Sequence, residues 1–139
     1  MTIRNTLCAM SIVSLTACST TTSHQQQASS KSDPETVLVT YHVKSGKESE
    51  FQEVLASAWE VYRKEHLVFA QPHVIVQDKE TEDKPRFVEI FTWVSHSAPV
   101  HAAASAKMLW DQMHSLCEPR GAQSGLVGGE VDLLTPNPR

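Results

Sequence analysis

Basic charge, pairable cysteines and long apolar runs are all scarce in this chain of 139 residues. Its 12 lysines and arginines against 16 aspartates and glutamates leave a formal charge of −4. That balance excludes a protein built to ride nucleic-acid phosphates, which requires a basic face. The cations are scattered, with no polybasic cluster to hold the chain on anionic lipid. No apolar stretch reaches the roughly 18 residues of a membrane span. The three cysteines, Cys8, Cys18 and Cys117, form neither a metal-ligand pattern nor an obvious pair. A phosphate-binding glycine loop, a nucleophile elbow, a CxxC pair and an HExxH helix are also missing. Of the five glycines, Gly125, Gly128 and Gly129 sit inside a strand pattern, where a bulge is a more natural use than a phosphate cradle.

What is present speaks first at the N-terminus. "MTIRNTLCAMSIVSLTACST" has one early positive charge, Arg4, then a short apolar run from Leu7 to Leu15, the layout of a secretory signal peptide over residues 1–17. Leu15-Thr16-Ala17-Cys18 resembles the bacterial lipobox: an aliphatic residue, two small ones, then cysteine. The resemblance implies cleavage before Cys18, lipidation of its thiol, and a membrane anchor in the cell envelope. Several acyl chains, each buried methylene contributing about 0.8 kcal/mol, would make the attachment stable. Ser19 in place of Asp after the cysteine implies export to the outer membrane, facing the periplasm. Cys8 would leave with the signal and Cys18 would carry lipid. Cys117 would then stand alone, and the fold must be held by packing. Residues 18–34 carry only small and polar side chains after the cysteine and read as a disordered tether. At about 16 residues it would span about 20–25 Å as a coil.

The folded domain is expected over 35–139. "TVLVTYHV" (36–43), rich in β-branched residues, predicts a strand. Over 45–66 the period becomes helical, with Phe51, Val54, Leu55, Ala58, Val61 and Tyr62 three and four apart. Strands follow at "HVIVQD" (73–78) and "RFVEIFTWV" (86–94), joined by a charged hairpin loop, "KETEDK". One continuous helix is predicted from about Ser97 to Glu118, with Pro99 in its first turn, and a last strand over 125–134. The order β-α-β-β-α-β is the ferredoxin-like α+β arrangement, a four-stranded antiparallel sheet with two helices on one face. Phe87, Phe91 and Trp93 alternate with Val88, Ile90 and Val94, so both sheet faces are apolar and both need cover. A second copy, packed sheet to sheet, would supply it, and a homodimer is therefore expected.

The candidate site residues cluster around "FTWVSHSAPVHAAASAKMLWDQMH" (91–114). His101 and His114, thirteen residues apart, would lie about 140° apart around one helix and cannot share a metal. His114 shares a face with Lys107, Asp111 and Glu118, a solvated charge ladder. Trp110 borders Ala106, Met113 and Cys117 and reads as core. His96 and His101 mark the joint between strand and helix. Judging each strand by its more apolar row puts Val37, Val39, Tyr41 and Val43 under the helices. Thr40, His42, Glu89 and Trp93 then face the second sheet, with His73 a further candidate there. A buried glutamate must be paired or neutral, so Glu89 is expected to meet His42, Thr40 or the other subunit. Such a pair would either fix the register of the dimer or move protons in a cavity.

With these elements in place, the chain resembles the dimeric α+β barrel superfamily, and within it the antibiotic-biosynthesis-monooxygenase-like domains, over roughly residues 36–134. The likeness rests on an opening strand followed by "SGKESEFQEVL" and on "RFVEIFTWVSHSAPVHAAA", a strand ending in Trp93 that runs into a helix. The family includes cofactor-independent oxygenases of quinol-type substrates and haem-degrading enzymes. Many members carry an acidic residue two positions before the strand-end aromatic and a helix histidine about nine after it. Phe91 and Ala102 occupy those positions, with Glu89 and His101 nearby but out of register. The resemblance also implies a site between sheet and helices, where Tyr41 or Tyr62 would take part. The leading expectation is a lipid-anchored envelope protein, without cofactor, that binds a small, flat, partly apolar aromatic ligand. The alternative is a cofactor-independent oxygenase in which Trp93 stacks the ring, His42 or His101 moves protons and Glu89 orients the base. A third is haem binding through a histidine.

Overall fold

The computed structural model describes residues 32–78 and 83–134. The expected signal peptide, Cys18 and nearly all of the tether lie outside the described residues. The same holds for most of the hairpin loop and for residues 135–139.

Alternating β-branched and aromatic side chains extend β1 over Glu35–His42. Helix α1 (Glu48–Lys64) follows, with Glu48 and Glu50 in its first turn and Arg63 and Lys64 in its last, each sign at the favourable end of the helix dipole. Its stripe of Phe51, Leu55, Ala58 and Tyr62 is buried. Strand β2 spans Val68–Gln77, starting five residues earlier than the apolar run suggested, and β3 spans Arg86–Trp93. The register between β2 and β3 shifts between Val68 and His73, a stretch that holds Pro72, a residue that sheets admit at edge strands and bulges.

The expected single second helix is instead two. Helix α2 (Ala98–His101) stops at Ala102, which is extended, and α3 (Ala104–Leu116) begins after Ala103. The carboxylate of Glu65, just past the end of α1, bridges the break. It accepts a hydrogen bond at 3.1 Å from the Ala103 N–H, a backbone donor that the α3 N-terminus leaves open, and another at 2.8 Å from the Ser105 hydroxyl. The last strand, β4, covers Leu126–Glu130.

All strand pairs are antiparallel and the sheet order is β2-β3-β1-β4, the ferredoxin-like order. The helices cover one face. On the other, Val74, Val76 and Val127 are exposed, and the register sets them beside half-buried Leu38, Val88 and Ile90. That outer face is apolar, as expected, but its membership differs from the sequence reading. Val39 pairs with Glu89 and Tyr41 with Phe87. Because side chains at paired positions point to one face, the row containing Glu89 and Trp93 lies with Tyr41, under the helices. Thr40 and His42 alone of that expected group belong to the opposite row.

Candidate functional site

Between the sheet and the helices lies an open cavity of about 390 Å³. Its floor is the odd-numbered row of β1, Val37, Val39 and Tyr41, continued by Phe91 and Trp93 of β3. Tyr62 of α1 and Trp110 and Met113 of α3 close it from above. At the rim stand Glu35, Glu130 and His114, the last exposed to solvent as expected. The aromatic rings brace one another. Phe91 and Trp93 meet edge to face at 4.8 Å, Trp93 and Trp110 likewise at 6.4 Å, and Tyr62 tilts against Trp93 at 5.3 Å. The Trp110 indole N–H donates to the Tyr62 hydroxyl, so the two rings are held in fixed orientations. Burial pushes the Tyr62 phenol well above its ordinary range, so it stays neutral across physiological pH.

Next to this cavity sits a buried carboxylate. Glu89 is only 1% exposed, and both of its oxygens are engaged. The Tyr41 hydroxyl donates to Oε2 at 2.8 Å, and His73 Nε2 lies 2.9 Å from Oε1. The His73 ring in turn stacks on Trp59 of α1, with centroids 3.5 Å apart. Burial raises the Glu89 carboxyl above its ordinary value, and the contacts with Tyr41 and His73 offset only part of that rise. Burial, followed by the neighbouring Glu89 charge, also holds the Tyr41 phenol well above its ordinary value.

The structure therefore brings Trp93 to the cavity wall and Glu89 to the residue behind it, while His42 and His101 are elsewhere. Glu89 does not meet His42 or Thr40. Its partners are Tyr41 and His73, both brought under the helices by register. His42 is buried at the far end of β1, its Nδ1 3.2 Å from the Ser124 carbonyl oxygen. His101 is exposed at the end of α2 and is not among the residues that line the cavity. Ala102 fills the buried position beside it. His96 pairs at 2.9 Å with Glu35. Trp110, read as core, is only partly buried and lines the cavity. Tyr62 could be found in the sequence only through the family likeness, since its helical spacing matches that of any core residue.

Haem fits this cavity poorly: His114, at the exposed rim, is the only histidine among its lining residues. Among the described residues no group of three or more His, Cys, Asp or Glu side chains is placed to hold a metal ion, and no helix is long and apolar enough to cross a membrane.

This layout of sheet, helices and intervening cavity can be compared with solved structures. The chain superimposes on SnoaB, a cofactor-independent oxygenase from Streptomyces nogalater, with a TM-score of 0.58 at 17% identity, over 77% of this chain and 99% of that one. The fold is that of the antibiotic biosynthesis monooxygenases. A Caulobacter crescentus protein assigned to that group matches with a TM-score of 0.55 at 18% identity, over 76% of this chain and 93% of its own. A Nitrosomonas europaea protein of the same assignment matches at 0.55 and 16%, over 77% and 96%. Neither a protein-family model nor a curated protein matches the sequence. At these identities the antibiotic-biosynthesis-monooxygenase likeness is one of architecture.

Proposed function

We propose that this chain is a lipid-anchored envelope protein whose monooxygenase-like domain binds a small, flat, partly apolar ligand, a phenol or related aromatic, between its sheet and its helices. The observation that carries the reading is the aromatic box of Tyr62, Phe91, Trp93 and Trp110 around a cavity of about 390 Å³. Pockets of a few hundred Å³ lined by aromatic rings and a few fixed polar groups suit ligands of one or two rings. Titrating the folded domain with a panel of phenols and naphthols should quench tryptophan emission saturably, and Trp93→Ala should abolish saturation. A panel with no saturable quench would sink the reading.

A second reading has its own support: a cofactor-independent oxygenase acting on quinol-like substrates. The Glu89–His73 pair behind Tyr41 is a base within reach of the cavity wall, and proton removal is how a hydroquinone is made more electron-rich. Oxygen consumption with a hydroquinone panel, lost in Glu89→Gln, would establish it; no uptake with any bound hydroquinone would dismiss it.

Two further parts of the proposal concern assembly and location. The apolar outer face of Val74, Val76 and Val127 supports a homodimer packed sheet to sheet. The lipobox-like Leu15–Cys18 supports lipidation of Cys18 and an outer-membrane address facing the periplasm. Cys18→Ala should release the protein from the membrane fraction, and unchanged fractionation and mass would refute the anchor.

A further inference from the structure

The Glu89 carboxylate lies between two separate concavities. Tyr41 lines the aromatic cavity, and His73 lines a second groove of about 510 Å³ on the outside of the domain, between α1 and β2. Gln52, Trp59, Glu60 and Gln77 share that outer groove. Glu89 lines neither, and is joined to both by hydrogen-bond distances of 2.8 and 2.9 Å. His73 is 17% exposed through its side chain, so the chain of contacts begins at the aromatic wall of the cavity and ends at water. A purely structural glutamate needs its hydrogen-bonding capacity satisfied, but it has no need to connect two concavities.

We propose that Tyr41, Glu89 and His73 form a proton path that carries a proton from a hydroxyl bound in the aromatic cavity to solvent in the α1–β2 groove. The proposal rests on the reading of the cavity as a phenol site. A phenol, a carboxyl and an imidazole can each give one proton while taking another. In the transfer, the ligand O–H breaks and its proton goes to Tyr41 Oη as the Tyr41 proton passes to Glu89 Oε2. The carboxyl then turns and passes that proton from Oε1 to His73 Nε2, while Nδ1 releases one to water. One proton leaves the ligand, one reaches solvent, each protein group keeps its charge, and no electrons are transferred. Rotation of the carboxyl and a tautomer change at His73 restore the starting arrangement. Stacking on Trp59 holds the imidazole plane, which keeps Nε2 on the carboxylate.

The test uses 2-naphthol, a flat phenol whose hydroxyl becomes strongly acidic on excitation, with the folded domain. Emission anisotropy reports binding, and emission colour reports whether the excited hydroxyl loses its proton. Wild type is expected to give raised anisotropy and substantial naphtholate emission. Tyr41→Phe, Glu89→Gln and His73→Gln should each keep the anisotropy and lose most of the naphtholate band, several-fold or more. If one of the three fails to fold, the other two interrupt the same path at different links. His101→Asn, on an exposed histidine outside both concavities, should leave the colour unchanged. Raised anisotropy with neutral emission in wild type would overturn the path and leave the cavity reading standing. Unchanged colour in the three variants, or its loss in His101→Asn alone, would also overturn the path. No rise in anisotropy would overturn both.

Discussion

Replacing Glu89 by alanine and by glutamine should give two quite different proteins. In Glu89→Ala the Tyr41 hydroxyl, on a residue only 4% exposed, loses its acceptor. A buried polar group left unpaired costs about 1–3 kcal/mol. His73, partly open to water, suffers less, about 1 kcal/mol. Losing a carboxyl that burial disfavours returns about 1 kcal/mol, the cavity left by the shorter side chain costs about as much, and the net loss is about 2–4 kcal/mol. Glu89→Gln keeps the volume and an acceptor for Tyr41, and its loss should stay near 1 kcal/mol or below. With a urea slope of about 1–3 kcal/mol per molar, the two midpoints should differ by roughly 1 M, read by circular dichroism at a fixed protein concentration. Midpoints within about 0.3 M of each other would refute the pairing of Tyr41 and His73 through Glu89. The pH dependence adds a second check. The native carboxyl lies above its ordinary value of 4.5, so the folded chain binds this proton more tightly than the unfolded one. That contribution is complete below pH 4.5 and is lost as pH rises through the native value. Wild-type stability minus that of Glu89→Gln should therefore fall over this window and then level. A difference that grew with pH would mean that the hydrogen bonds outweigh burial.

Other outcomes follow from the same structure. Cys117 is buried, and burial pushes its thiol up to about 11 despite the opposing charges of Arg120 and Lys44. A disulfide reagent at pH 8 should label it only after unfolding, and prompt labelling of the native chain would contradict the packing. A methyl at Gly125 would meet the Glu118 backbone nitrogen at 2.9 Å, whereas one at Gly129 meets nothing within 4 Å. Gly125→Ala should lower stability by about 1–3 kcal/mol and Gly129→Ala should be close to neutral; equal melting midpoints would dispute that clash. On the outer face, Val76→Lys should convert a dimer to a monomer in light scattering, and a wild-type monomer would remove the sheet-on-sheet proposal.

The order of elements and the sheet topology were legible because strands and α1 carry strong two-fold and helical periodicities. The site was legible only in part. Trp93 and Glu89 could be singled out as an aromatic and an acid on one row of β3, but the side they face could not be read from β3 alone. Judged strand by strand, the row with a glutamate looks like the less apolar one. Register decides otherwise, since Val39 stands opposite Glu89 and takes it under the helices. What makes that burial tolerable comes from Tyr41 and His73, 48 and 16 residues away, a distance that no local pattern reports. His101 failed for a different reason. A continuous helix would have kept its neighbours in phase, but the chain breaks at Ala102 and Ala103, and the bridging carboxylate, Glu65, is some forty residues upstream.

Pro72 has a consequence for how copies of the chain can meet. A sheet with four strands has two free edges, here β2 and β4, and an unguarded edge can recruit another chain into a growing ladder. Along β2 the missing N–H and the shifted register deny a newcomer a continuous set of partners. The opposite edge offers only five residues, ending in a charged glutamate. Edge-on growth is thus blunted on both sides, which leaves the broad apolar face as the surface for the proposed homodimer, an arrangement that would stop at two copies.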